Sequence, residues 1–178
     1  ISSGKYILND RVSEFEKNFS NYLDVQHCVA VASGTDALTI SLIALGIGPG
    51  DEVITSGMTA YPTIIGILNS GAKPVLVDIN LDNILINAEK IEDVITDKTK
   101  AIIIPHLFGV PSRLKPLKDY CKRNSIFIIE DCAEAHRAKE EDYYVGSLGD
   151  ISCFSFYANK IVAAGEGGLC LTSDEELL

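Results

Sequence analysis

The sequence is short of the features that mark membrane, nucleic-acid and zinc-binding proteins. No apolar run reaches the ~18 residues of a membrane span, and the opening ISSGKYILND does not read as a signal peptide. Positive charge is scarce: 15 Lys and Arg stand against 25 Asp and Glu, for a formal net charge of -10. That balance repels phosphate backbones and argues against nucleic-acid partners. The five cysteines, Cys28, Cys121, Cys132, Cys153 and Cys170, show no CxxC or Cys/His spacing. An odd, scattered set argues against a disulfide framework or a zinc site and fits buried thiols in a reducing cytoplasm. Neither GxxxxGK[ST] nor GxSxG occurs. GIGPGD at 46–51 follows a helical stretch instead of a strand, so it reads as a turn and not as a dinucleotide fingerprint.

What is present is an alternation. CVAVAS (28–33), EVIT (52–55), KPVLVDI (73–79), KAIIIP (100–105), IFIIED (126–131), ISCFSF (151–156) and GLCLTS (168–173) read as strands apolar on both faces. Between them, 35–45, 60–70, 88–96 and 113–124 read as helices, two of them closed by Gly46 and Gly71. The pattern predicts one α/β domain with a mainly parallel sheet, and 178 residues suffice for its core. The ends read as those of a piece of a longer chain. The first residue is not Met, and TSDEELL stops where a helix is starting, with Ser173 as its N-cap.

Ligands of open α/β sheets bind beyond the carboxyl ends of the strands, and three such places carry chemistry. In SGTDAL, Ser33, Gly34 and Thr35 open a helix, so free backbone N–H groups and hydroxyls suit a phosphate, or Ser33 is a plain N-cap. In FIIEDCAEAH, Asp131 ends an apolar strand, where a carboxylate needs a cation or donors, unless it caps the next turn. Glu134 and His136 follow on the loop and are expected to face the same cleft. In FSFYANKIVAAGEGG, Lys160 lies just past an apolar run, with Ser155 at its strand's end. Such a lysine is either a stem packed on apolar surface or an amine kept for carbonyl chemistry, and the glycines at 165, 167 and 168 are either part of the site or a tight turn. His27 is placed at a strand start; His106, in PHLFG, is a cleft residue or a loop donor.

The wording and order of SGTDAL, ALGIGPGDEVI, GAKPVLVDI, TKAIIIPHLFG, IIEDCAEAH, VGSLGDISCFSFYANK and GEGG resemble the DegT/DnrJ family of nucleotide-sugar aminotransferases over nearly the whole chain. The resemblance implies the fold type I large domain of pyridoxal-phosphate (PLP) enzymes, with a mixed, mainly parallel seven-stranded sheet and helices on both faces. A smaller C-terminal domain follows in the family, whose members are homodimers with active sites at the subunit interface. Residues 1–178 would then be the PLP-binding large domain without the family's first segment and C-terminal part.

Position by position, the resemblance makes Lys160 the Schiff-base lysine, Asp131 the carboxylate on the pyridine nitrogen, and Gly34, Thr35 and Ser155 the phosphate ligands. Glu134 falls where many members have Gln, near the cofactor's ring hydroxyl. The implied reaction moves an amino group from glutamate to a nucleotide-linked keto-deoxy sugar, and DCAEAH is similar to the perosamine-synthase branch, which acts on GDP-4-keto-6-deoxymannose for polysaccharides such as lipopolysaccharide O-antigen. The sister dehydratases replace the lysine with histidine, so Lys160 favours transamination. Two departures stand out: Ala60, beside Tyr61, replaces an aromatic ring over the cofactor, and Arg137 replaces the Gly of AHGA. The rival expectations are a non-catalytic regulatory or binding protein on the same fold, or a piece too incomplete to turn over sugars alone.

Overall fold

The computed structural model describes Gly4 and residues 9–177, so most of the opening ISSGKYILND lies outside the described residues. Seven strands form the main sheet: β1 (His27–Val31), β2 (Glu52–Ser56), β3 (Lys73–Val77), β4 (Thr99–Pro105), β5 (Phe127–Asp131), β8 (Ile151–Ser155) and β9 (Gly168–Thr172). Two-residue strands β6 (Lys139–Glu140) and β7 (Tyr143–Tyr144) make a separate hairpin in the KEEDYY turn. The sheet order is β1-β9-β8-β5-β4-β2-β3. Pairings from β8 through β5, β4 and β2 to β3 are parallel, while β9 runs antiparallel to both β8 and β1. One strand in seven therefore opposes the rest, and the predicted mixed, mainly parallel sheet is observed.

Among the described residues, four helices cover it: α1 (Asp10–Leu23), α2 (Gly34–Ala44), α3 (Tyr61–Ser70) and α4 (Lys115–Arg123). The strands are apolar throughout because each face has a cover. Ile103 and Ile129 pack with Leu38, Leu42 and Ile67 of α2 and α3. The alternate residues Ile102, Ile104 and Ile128 pack with Leu117 and Cys121 of α4. Each isoleucine of this set that is fully withdrawn from water contributes about 1.5–3 kcal/mol of hydrophobic stabilisation.

The helix α1 escaped the sequence reading. Its signals are an Asn9 side chain accepting from the Arg11 N–H at 2.9 Å and apolar residues at 12, 15, 19 and 22–23, a helical stripe. That stripe stacks on the sheet's second face, Phe15 on Phe156 at 5.3 Å and Phe19 on Phe154 at 5.0 Å between centroids. The expected helix at 88–96 is instead two 3₁₀ turns, Ala88–Lys90 and Glu92–Val94. The β-branched residues Ile91, Val94, Ile95 and Thr96 disfavour a regular helix, and Ile95 is already extended. At the chain's end the cap is Asp174, not Ser173. Asp174 accepts from the Glu176 N–H at 3.0 Å, whereas the Ser173 hydroxyl accepts from the Gln26 N–H at 3.5 Å. GIGPGD is a turn, as read, with Gly46 and Gly50 at positive φ.

Candidate active site

The carboxyl ends of the strands, with the turns that follow them, enclose a cavity of about 420 Å³. Its walls include Gly34, Thr35, Asp131, Glu134, Ser155 and Lys160, so the six residues that the resemblance assigns to the cofactor are brought together. Ser33 does cap α2, accepting from the Asp36 N–H at 3.1 Å and donating to its carboxylate at 2.8 Å. The first N–H groups of α2 still face the cavity end of the helix. A Cβ on Gly34 would stand 2.7 Å from the Ser155 Cβ, and one on Gly168 would stand 2.3 Å from the Ser33 carbonyl oxygen. Only residues without a side chain let β8 and β9 close against the start of α2. Gly34 and Gly168 are thus part of the site's construction, whereas Gly165 and Gly167 take positive φ in the turn.

Asp131 ends β5 and is buried. Its Oδ2 accepts from the Thr63 hydroxyl at 2.7 Å and its Oδ1 from the Ala133 N–H at 3.2 Å. Burial pushes its carboxyl above the usual range, and these two neutral donors do not offset that. Thr63 was missed in the sequence: α3 presents it from 68 residues away, and the Thr59 hydroxyl donates to it at 2.8 Å. No local pattern marks a threonine on a helix for that contact.

Lys160 sits on the turn between β8 and β9, its N–H donating to the Tyr157 carbonyl at 2.9 Å. Its side chain keeps only 17% of its exposure, and Nζ lies 4.0 Å from the Glu134 Oε1. Glu134 also accepts from the Phe108 N–H at 3.1 Å through Oε2. The amine is therefore held inside the cavity, beside a carboxylate, and its stem is not spread on an outer surface.

His136 does not share this cleft, against expectation. Its ring is wedged between Phe154 and Phe156, 5.4 Å from each, because β8 turns those residues to the face opposite the cavity. Burial lowers its pKa. His106 lines the cavity wall, but its nitrogens are engaged elsewhere. Nδ1 accepts from the Ser112 N–H at 3.0 Å, which puts the proton on Nε2 for the Glu130 carboxylate 3.1 Å away. His106, Glu130 and Cys132 cluster as metal ligands would. Glu130 is nonetheless filled by the N–H groups of Gly146, Leu148 and Gly149 at 2.8, 2.8 and 2.6 Å. Ala60 lines the cavity, while Tyr61 points away and is 76% exposed. Arg137 takes φ +66, a left-handed backbone that favours glycine.

The sequence profile of the DegT/DnrJ/EryC1/StrS aminotransferase family matches residues 1–178. The chain is 42% identical over 176 residues to the GDP-perosamine synthase of Caulobacter vibrioides, covering 99% of this chain and 46% of that protein. It is 43% identical over 178 residues to the dTDP-3-amino-3,6-dideoxy-alpha-D-galactopyranose transaminase of Aneurinibacillus thermoaerophilus, covering 99% and 49%. The crystal structure of NtdA from Bacillus subtilis with bound cofactor PMP superposes with a TM-score of 0.93 at 36% identity, over 99% of this chain and 40% of that one. The chain thus spans about half the length of the curated relatives it matches.

Proposed function

Because the chain belongs to the DegT/DnrJ/EryC1/StrS aminotransferase family, we propose that the cavity is the PLP site of a nucleotide-sugar aminotransferase. The observation that carries this reading is the convergence of one amine, one buried carboxylate and one glycine-built helix start on a single cavity. The residues fit the cofactor. Asp131 is a buried acid met only by a hydroxyl and an amide, and a protonated ring nitrogen is the cation that environment calls for. Gly34, Thr35 and Ser155 form a cradle that any Cβ at 34 would fill, at the positive end of α2, suited to a phosphate.

Bound there, the cofactor supplies a carbonyl for amines and a ring that accepts electron density. The chain does the rest. Lys160 would hold the carbonyl carbon and would move the proton at the substrate carbon. Asp131 would keep the ring nitrogen protonated. Glu134, beside Lys160, would flank the ring hydroxyl. In this reading residues 1–178 are the PLP-binding domain and glutamate is the donor. The acceptor is a keto-deoxy sugar on a nucleotide, as the names of the relatives support. The GDP-4-keto-6-deoxymannose assignment is supported by the Caulobacter relative and by Glu134, and the dTDP-named relative sets the alternative. A homodimer sharing the site is supported by exposed apolar residues near the cavity, Tyr61, Phe108 and Ile161, at 76, 67 and 70% exposure.

The test is direct. Protein incubated with PLP and reduced with borohydride should carry a pyridoxyl group on the Lys160 peptide, and a label on another lysine overturns the assignment. A panel of GDP- and dTDP-linked keto sugars with glutamate, read by mass spectrometry for the amino sugar, decides the acceptor.

A further inference from the structure

Beneath α2, where it covers the sheet, β8 and β9 bring two cysteines face to face. Cys153 and Cys170 are direct partners in the antiparallel register. In that same register the Phe156 N–H donates to the Gly167 carbonyl, while the Cys153 carbonyl faces away to accept from the Cys132 N–H at 2.8 Å. Hydrogen-bonded and non-hydrogen-bonded pairs alternate along such a ladder, so Cys153 and Cys170 form a non-hydrogen-bonded pair. Their Cα atoms are then about 4.5 Å apart, inside the ~4.4–6.8 Å span of disulfides.

The side chains agree. Ser41 of α2 touches both sulfurs, lying 3.3 Å from the Cys153 Sγ and donating to the Cys170 Sγ at 3.7 Å. Both thiols are free. Cys153 is fully buried, but Cys170 is half-buried and lines a second cavity of about 210 Å³ with Val29, Ile40, Ser41 and Ala44. A hydrogen bond from Cys153 lowers the Cys170 pKa, whereas burial raises those of Cys153 and Cys28, the latter to about 12. Cys28 sits on the opposite face of β1, packed with the α1 side.

We propose that Cys153 and Cys170 are a reversible oxidation site, a cross-strand dithiol that small disulfides convert to a protein disulfide. The Cys170 sulfur attacks the reagent, forming a mixed disulfide and releasing one thiol. The Cys153 sulfur then attacks Cys170, releasing the second thiolate, which takes up the proton that Cys153 gives up, while Ser41 holds the two sulfurs together by hydrogen bonds. Two protein S–H bonds are lost, one S–S bond is made, and the reagent's S–S bond is reduced to two S–H. The cross-strand Cβ separation of about 4.5–5.5 Å must close to about 3.8 Å, so the product is strained and thiols reopen it.

The experiment exposes the purified chain to hydroxyethyl disulfide, quenches with an alkylating agent and digests with trypsin. Cleavage after Lys139 and Lys160 puts the two cysteines on separate peptides, 140–160 and 161–178. The expected product is those two peptides joined, two hydrogens lighter than their sum and separated again by dithiothreitol, with Cys28, Cys121 and Cys132 alkylated. Cys170→Ala should abolish the joined species and Cys28→Ala should leave it unchanged. A stable mixed disulfide on Cys170 alone, linkage to Cys28, or full alkylation of all five cysteines in the unmutated chain would overturn the proposal, whatever the variants do.

Discussion

Glu130 and Asp131 are neighbours on one strand, both buried, and their surroundings differ completely. Glu130 faces away from the cavity and accepts four hydrogen bonds, from three backbone amides and the His106 ring. Burial alone would raise its pKa, but the His106 hydrogen bond and the Gly149 and Gly146 amides hold the carboxyl below the usual range. Asp131 faces the cavity with two neutral donors and stays raised by burial. A saturated buried acid fastens a loop, here 146–149 with its glycines, to the sheet. An undersupplied one beside a cavity is left short of a cation, and that makes it the candidate for chemistry.

Four substitutions bear on this contrast, those read by turnover resting on the proposed function. Lys160→Ala should remove all borohydride-trapped pyridoxyl label and all amino-sugar product, since the amine on the Asp131 side is then gone; residual labelling in peptide maps would break the functional half of the contrast. Asp131→Asn should retain the label but lower the transamination rate by about 10²–10³, the cost of deleting one electrostatic partner. Its melting temperature without cofactor should equal or exceed that of the unmutated protein at neutral pH, because a buried, undersupplied charge is removed.

Glu130→Gln should instead destabilise by about 3 kcal/mol, from hydrogen bonds to a charged group lost in the interior, as read by urea unfolding. The pH dependences have opposite signs. The Glu130 carboxyl is lowered in the fold, so its stabilisation is present above the usual carboxylate range and is lost as pH falls through the folded value. Asp131 is raised, so its contribution is full at acid pH and is lost as pH rises through the folded value. Melting temperatures across pH should show the Glu130→Gln deficit shrinking toward acid and the Asp131→Asn advantage growing toward neutrality. Parallel curves would mean that the two acids are equivalent. The smallest effect is expected of Thr63→Val, which deletes one of Asp131's two donors. It should cost about tenfold in turnover, or ~1.4 kcal/mol, with the pyridoxyl label kept on Lys160.

Much of this was legible in the residues. The isoleucine strands, α2 to α4 and the turns at Gly46 and Gly71 follow from periodicity and local backbone preference, and strand ends located Lys160, Asp131 and the Gly34 turn. Errors fell where packing or local competition overrode pattern. The α1 stripe and its Asn9 cap were present in the sequence and overlooked, since its partners Phe154 and Phe156 lie more than 130 residues on, and 88–96 lost its helix to β-branched residues. His136 was misplaced because a residue on an irregular loop carries no face assignment until the strands beside it are placed.

The sequence by itself determined the element types, the strand ends and the kind of residue at each, because those depend on interactions within a few positions of chain. Only the tertiary structure decided which acid on β5 is saturated and which is open, that Thr63 reaches Asp131 across 68 residues, that Gly34 and Ser155 meet, and that Cys153 faces Cys170. Those facts follow from the strand order, in which β9 folds back between β1 and β8. The order is set by burying two faces of one sheet at once, a balance summed over the whole chain and written in no single stretch of it.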